Sequence, residues 1–197
     1  MSQILSFQFI SDDGTNFADQ IRCAAFDFAK SAGETGVCLV LVSGTDTDES
    51  VPVVANLGAK EASIVLPLFD WVKDDSFGTA FGLSDSVYVI SESLNQTAMQ
   101  QVQSAFEKET NLFFFELDRP KALIRGFLLR REDENWIPIP RSAEGAAAAA
   151  MVLHRDLETG TMESTIEQPG GILEIGLRKE QGRVLGLSAG GPVEVRS

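Results

Sequence analysis

The stretch RREDENWIPIPRSAEGAAAAAMVLH, from Arg130 to His154, decides the fold. Five consecutive alanines, Ala146 to Ala150, follow a loop that contains Pro138 and Pro140. A surface helix would carry polar residues along one side. No charged or hydroxyl side chain lies between Glu144 and His154. Small residues on every face predict a helix enclosed by close-packed strands, because the backbone must approach its neighbours closely and an unpaired polar group there would be costly.

Composition limits the classes of partner. The chain has 197 residues, 44% of them apolar, and a net charge of -13, which predicts a sizeable core and argues against nucleic acid or an anionic membrane as a partner. No apolar run approaches the roughly 20 residues of a membrane span, so we expect a cytosolic protein. Cys23 and Cys38, with a single histidine in the chain, predict buried free thiols and no metal site.

Apolar periodicity predicts alternating strands and helices. The predicted strands are 4–10, 37–42, 51–57, 62–68, 86–90, 112–117, 122–129, 164–168, 171–177, 182–188 and 192–195. The predicted helices are 18–32, 94–108 with Asn95 as N-cap, and 143–154. We expect loops at 69–84 and 130–141, and a turn at GLSAGGP, residues 186–192.

The order of strands and helices occurs twice, roughly 120 positions apart, which predicts duplication of one unit. We therefore expect an α+β fold of two pseudo-symmetric domains, residues 1–84 and 85–197, each an antiparallel β-barrel-like sheet around a central helix. Ligands commonly bind in the cleft between two such domains.

Three segments carry a family resemblance. IPIPRSAEGAAAAAMVL, residues 137–153, is similar to the DPATGSAAGALAAYL segment of the phenazine-biosynthesis-like (PhzF-like) proteins, and residues 166–195 resemble that family's IEQG-to-VGG ending. In the first half, residues 5–33 resemble the segment that leads through an acidic loop to the family's GHAT helix. The resemblance implies the diaminopimelate epimerase fold of two facing barrels, with a site between them.

The departures from the family concern its catalytic residues. The hairpin that carries the family's general-base glutamate would precede the first residue, and GHAT is replaced by residues 18–21. The family's aspartate falls on Ile137. We therefore expect a shortened relative without the usual acid and base.

The predicted helix starts are candidate anion sites, because unpaired N–H groups there favour a carboxylate or an enolate oxygen. Ser142 with Ala143 marks one start, and Asp19 with Gln20 marks the other.

Three carboxylates are candidate catalytic groups, since burial would raise the pKa of any of them toward that of a general base. They are Asp12, Asp19 and Glu144. A structural alternative is that Asp12 caps a turn and Glu144 supports the helix start like the acid of a capping box.

Further residues are candidate substrate-binding groups. A guanidinium and an indole beside a helix start can hold a planar or anionic ligand, which suggests Arg130, Arg141 and Trp136. Trp136 could equally pack on the loop as a rim residue. Glu167 and Gln168, which match part of the family's IEQG segment, are further candidate substrate-binding residues.

The leading hypothesis is an isomerase or cyclase for a small substrate of secondary metabolism. No phosphate-binding loop, dinucleotide fingerprint or serine elbow is present, which indicates chemistry without a cofactor. The enzyme would use a replacement carboxylate, or would act by shaping and desolvating a reactive substrate. The alternative is an inactive relative that binds a metabolite or a partner protein. A homodimer is consistent with either function, because an exposed sheet edge has to be covered.

Overall fold

The computed structural model describes residues 3–8, 36–43, 50–57, 61–83, 86–108, 111–118 and 123–192, with side chains for 63–83, 86–108, 111–118 and 123–191. The predicted helix 18–32 and most of the predicted strand 192–195 lie outside the described residues. The chain divides into two compact units, Met1–Leu66 with Ser188–Ser197, and Pro67–Leu187. The predicted boundary between Ser84 and Asp85 falls on residues outside the described part and stays a prediction.

The first unit contains four strands in sequential order. They are β1 (Gln3–Gln8), β2 (Gly36–Ser43), β3 (Ser50–Leu57) and β4 (Glu61–Leu66). The pair β1–β2 is parallel, whereas β2–β3 and β3–β4 are antiparallel. All four strands were predicted from periodicity, with ends that differ by a few residues.

The second unit carries two helices and most of the strands. The strands are β5 (Asp70–Asp75), β6 (Gly78–Leu83), β7 (Ser86–Ser91), β8 (Asn111–Asp118), β9 (Leu123–Glu132), β10 (Asn135–Ile139), β11 (Gly160–Gln168), β12 (Gly171–Glu180) and β13 (Arg183–Pro192), whose last residues belong to the first unit. The helices are α1 (Gln96–Ala105) and α2 (Ala143–Leu153). The sheet order is β13-β12-β11-β9-β8-β7-β6-β5, with β10 paired to β9.

The fold is α+β, as predicted, but its strand pairs are not all antiparallel. β7 and β8 pair in parallel, with α1 in the crossover between them. β9 and β11 also pair in parallel, and α2 lies in the connection between these strands. Parallel neighbours need a long crossover, which a helix supplies.

Three predicted loops or turns are strands in the structure. The 130–141 segment forms a hairpin in which β9 continues to Glu132 and pairs with β10. Asp133, at φ 55°, takes the left-handed conformation of the hairpin turn. The 69–84 segment contains β5 and β6, and β13 runs through the glycines of GLSAGGP. Pairing with a neighbouring strand outweighs the polar or glycine-rich composition that indicated loops.

The sheet of the second unit curves around α2. The helix contacts β7, β8, β9 and β12, which lie up to four positions apart in the sheet order. The residues of α2 from Ala143 to Val152 are all buried. The enclosed helix predicted from the alanine run is confirmed.

Helix α1 covers the other face of the same sheet, which we call the outer face. Its Val102 and Phe106 pack with apolar residues of β6, β7, β8 and β9. Asn95 caps α1 by accepting the N–H groups of Thr97 and Ala98, as predicted. The face that packs on α2 is the inner face, and it carries the candidate site.

Candidate functional site

The start of α2 is tied to the end of β11. Ser142 is the N-cap, and its Oγ accepts the Gly145 N–H at 2.8 Å. The Gln168 side chain accepts the Ser142 N–H at 2.8 Å and donates to the Ser142 carbonyl at 3.0 Å. The sequence therefore named two residues, Ser142 and Gln168, that the structure brings together in one buried pair.

Glu144 lies one residue into α2, and its carboxylate is enclosed. Its side chain is 1% exposed, and Oε2 accepts a hydrogen bond from the Tyr88 hydroxyl at 2.5 Å. A capping box would need the acid three residues after the N-cap, but that position is Gly145. The Glu144 side chain thus reaches β7 and does not return to the N-cap backbone.

A row of polar side chains crosses the inner face beside Glu144. Tyr88 of β7 pairs in register with Asn111 of β8, which pairs with Arg130 of β9. The Arg130 Nε donates to Asn111 Oδ1 at 3.2 Å, and Asn111 Nδ2 donates to the Val87 carbonyl at 3.4 Å. Tyr88, Asn111 and Arg130 are all buried. We call Tyr88, Asn111, Arg130 and Glu144 the inner polar cluster.

The inner polar cluster combines groups with different chemistry in an apolar environment. It brings a carboxylate, a guanidinium, a phenol and an amide onto neighbouring strands and the helix start. Buried charges are rare in proteins unless they are paired, and such groups are enriched at functional sites. The cluster therefore holds the Glu144 carboxyl group in a defined position.

The structure places other predicted site residues away from the cluster. Trp136 packs on the outer face with the α1 residues, and the Arg131 guanidinium lies 5.9 Å from the centre of its ring. Trp136 and Arg130 thus lie on opposite faces of the sheet, since Trp136 pairs with Arg131 and not with Arg130. Trp136 therefore packs against the apolar cluster of the outer face.

Glu167 and Arg141 lie at the surface around the helix start. The Glu167 Oε2 accepts from Arg125 Nε at 3.0 Å, and both side chains are about half exposed. Arg141 is half-buried, immediately before the N-cap. A Cβ on Gly170 would lie 3.0 Å from Arg141 Cβ, so the β11–β12 turn packs closely against the loop before α2. Asp12, Asp19 and Gln20 lie outside the described residues.

A separate open pocket of about 590 Å³ lies at the other end of α2. It is lined by the β5–β6 turn, the end of β7, α1, and Val152 and Arg155 of the second helix and its C-terminal turn. Val152 is eight residues from Glu144, about 12 Å along the helix. None of the residues named from the sequence lines this pocket.

Backbone carbonyl groups at the C-terminal end of α2 accept hydrogen bonds from Lys179, a residue that the sequence analysis did not name. Lys179 Nζ donates to the carbonyls of His154 and Arg155 at 3.4 and 2.9 Å. The Nε2 atom of the His154 ring lies 2.9 Å from the Ser164 Oγ atom. Burial lowers the pKa of His154, and the Lys179 charge lowers it further. His154 therefore favours its neutral form.

Tyr88 and Asn111 are the cluster members that the sequence analysis missed. The available signal was a polar side chain in a strongly apolar strand, since Tyr88 lies between Val87 and Val89, and Asn111 directly precedes the apolar run LFFF. Such residues pack a polar atom into the core and must find a partner there.

Comparison with solved structures shows the fold. The chain is similar to a protein described as a predicted epimerase from Pseudomonas aeruginosa, with a TM-score of 0.53 and 10% identity over 90% of this chain and 71% of that one. The epimerase-like fold that the sequence resemblance implied is confirmed. No family model matches the chain, and no curated protein matches it in sequence.

Two further solved structures have lower scores. One is a hydroxyproline epimerase from Agrobacterium vitis, with a TM-score of 0.49 and 12% identity over 89% of this chain and 64% of that one. The other is a PhzF-family phenazine biosynthesis protein from Enterococcus faecalis, with a TM-score of 0.42 and 7% identity over 98% of this chain and 90% of that one. We base the fold assignment on the Pseudomonas protein.

Two features are absent from the described residues. No helix among them is long and apolar enough to cross a membrane. In that same part of the chain, no group of three or more histidine, cysteine, aspartate or glutamate side chains is placed to hold a metal ion.

Proposed function

We propose that the protein is an isomerase that transfers a proton on a small molecule without a cofactor, with Glu144 as the proton-transferring group. One observation carries this proposal. Among the side chains that the structure describes, Glu144 is the one buried carboxylic acid. Burial of a carboxylate costs free energy unless the group is hydrogen bonded. Glu144 lies at the enclosed start of α2 and accepts a hydrogen bond from the Tyr88 hydroxyl.

The proposed reaction requires a substrate with an acidic C–H bond beside a carbonyl group. Glu144 would accept that proton, and the C–H electron pair would form an enolate. The same carboxyl group would then return the proton to a different atom on the same face of the enolate, which gives an isomer of unchanged mass. The epimerase-like fold supports this class of reaction only as an analogy of architecture, and a substrate from secondary metabolism remains part of the proposal.

Solvent exchange tests the proposed function. The protein would be incubated in D₂O with small-molecule extracts of its source cells, with heat-denatured protein as the control. Since a proton held by a carboxyl group exchanges with solvent, we expect an isomer that carries one deuterium. An isomer without deuterium would exclude proton exchange at Glu144 and favour an internal rearrangement. The absence of any new isomer would favour the second function below.

The second function is binding without turnover, because the Ser142–Gln168 pair takes up an N–H group at the helix start that could otherwise stabilise an anion during catalysis. Gln168 binds both the N–H and the carbonyl of the N-cap residue, so the helix start that was predicted to hold an anion is bound by the protein itself. A stable complex with a metabolite or a partner protein, with no conversion of that metabolite, would support this function.

A further inference from the structure

A short hydrogen bond joins Tyr88 of the sheet to Glu144 at the start of α2. The hydroxyl donates to Glu144 Oε2 at 2.5 Å, across 56 positions of sequence. Tyr88 is the single tyrosine of the chain. It occupies an inward-facing position of β7 and is 2% exposed. The phenol thus extends from a strand to a helix through the interior of the second unit.

The position of the Tyr88 ring is fixed by its surroundings. Phe69 contacts the ring edge-to-face, with 6.1 Å between the ring centres. On the β8 side the next residue in register is Asn111, which is itself bonded to Arg130 and to the Val87 carbonyl. A donor held by packing and by neighbouring strands gives its acceptor one defined geometry. A hydrogen bond to a charged group is also stronger than one between neutral groups.

We propose that Tyr88 is a positioning residue for Glu144, which holds the carboxylate in one rotamer for proton transfer. This role rests on the proposed function, in which Glu144 takes the substrate proton. Tyr88 keeps its own proton throughout, because its hydroxyl donates to Oε2 while the carboxyl group receives and returns the substrate proton. No atom of Tyr88 enters the reaction, so its effect is on the protonation and orientation of Glu144.

The Tyr88–Glu144 pair can be tested without a substrate. The protein would be labelled with ¹³C at its glutamate carboxyl groups, and the Glu144 signal would be identified by its absence in Glu144→Gln. Loss of a hydrogen bond to a charged acceptor corresponds to about one to two pH units. In Tyr88→Phe we therefore expect Glu144 to take up its proton at a higher pH than in the native protein, by about that amount.

A second variant keeps the test decisive if Tyr88→Phe does not fold. Biosynthetic replacement of tyrosine by 3-fluorotyrosine changes only position 88, since the chain has one tyrosine. The fluorinated phenol is a stronger donor, so Glu144 should take up its proton at a lower pH. Phe69→Leu is the control, because it alters packing on the Tyr88 ring and leaves the hydroxyl. Equal protonation of Glu144 in the native and fluorinated proteins would overturn the proposal.

The activity of the same variants separates this role from the proposed function. If Tyr88 positions Glu144, the acid limb of the pH–rate profile in Tyr88→Phe moves with the Glu144 signal, to higher pH. Loss of turnover in Glu144→Gln together with an unchanged profile in Tyr88→Phe would overturn the positioning role alone. Full turnover in Glu144→Gln would overturn the proposed function, and the positioning role with it.

Discussion

The ring of Phe113 occupies the space in which Gly145 would carry a side chain. A Cβ on Gly145 would stand 2.5 Å from Phe113 Cδ2 and 2.8 Å from Ser142 Oγ. Phe113 lies on the inner face of β8 and is fully buried. The first turn of α2 therefore approaches the sheet more closely than alanine would permit, which places Glu144 within reach of Tyr88.

Gly145→Ala tests this close approach. We expect overpacking to cost about 1–3 kcal/mol, offset by about 0.5–1 kcal/mol of better helix propensity, so the free energy of unfolding should fall by about 1 kcal/mol. The measurement is urea unfolding followed by circular dichroism. Gly186→Ala is the control, because a Cβ there meets nothing within 4 Å. A gain in stability in Gly145→Ala would contradict the close approach.

The two N-caps should differ in their contribution to stability. Ser142→Ala leaves the buried Gly145 N–H without its acceptor, which costs about 1–3 kcal/mol, whereas an ordinary cap is worth about 1 kcal/mol. Asn95→Ala removes an exposed cap of α1, and should cost only the usual loss. Chemical unfolding of both variants checks the order, and an equal or larger loss in Asn95→Ala would contradict it.

Protonation of His154 should destabilise the protein in mildly acidic solution. Burial, and then the Lys179 charge, hold the pKa of His154 in the folded state below its ordinary value, so the unfolded chain binds the proton more readily. By linkage, the stability contributed by neutral His154 is complete above about pH 6.5. It is lost as the pH falls from there toward the folded-state pKa.

His154→Gln isolates this effect because the chain has one histidine. The difference in unfolding free energy between the native protein and His154→Gln should be constant above about pH 6.5 and should shift in favour of the variant below it. Urea unfolding at a series of pH values checks this. A difference that is independent of pH between about 5.5 and 7.5, one unit on either side of the ordinary value, would show that the pKa of His154 is unchanged on folding.

The sequence predicted the elements whose pattern is local. The alanine run indicated that α2 is enclosed, and Asn95 and Ser142 were found from the preference of helix starts for such residues. The polar 130–141 segment was interpreted as a loop because its pairing with β9 depends on the neighbouring strand. With no strand assigned, the face of Trp136 could not be predicted.

The candidate site could be predicted only in part. Glu144 and Gln168 were named, but the partner of Glu144 is Tyr88, and this contact depends on the register of β7 against β8 and on the rotation of α2. Neither is set by the residues near Glu144 in sequence. Alternation within SVYVI gives the face of Tyr88, but not the helical residue that it meets.

The most direct test of the central claim is the rate of solvent-deuterium incorporation into substrate by the native protein, Glu144→Gln and the control Glu163→Gln, whose side chain is exposed on β11. Loss of a general base typically costs about 10²–10⁴-fold in rate. We predict a loss of that size in Glu144→Gln, with native circular dichroism, and the native rate in Glu163→Gln. Equal rates of incorporation in all three proteins would contradict the claim that Glu144 transfers the proton.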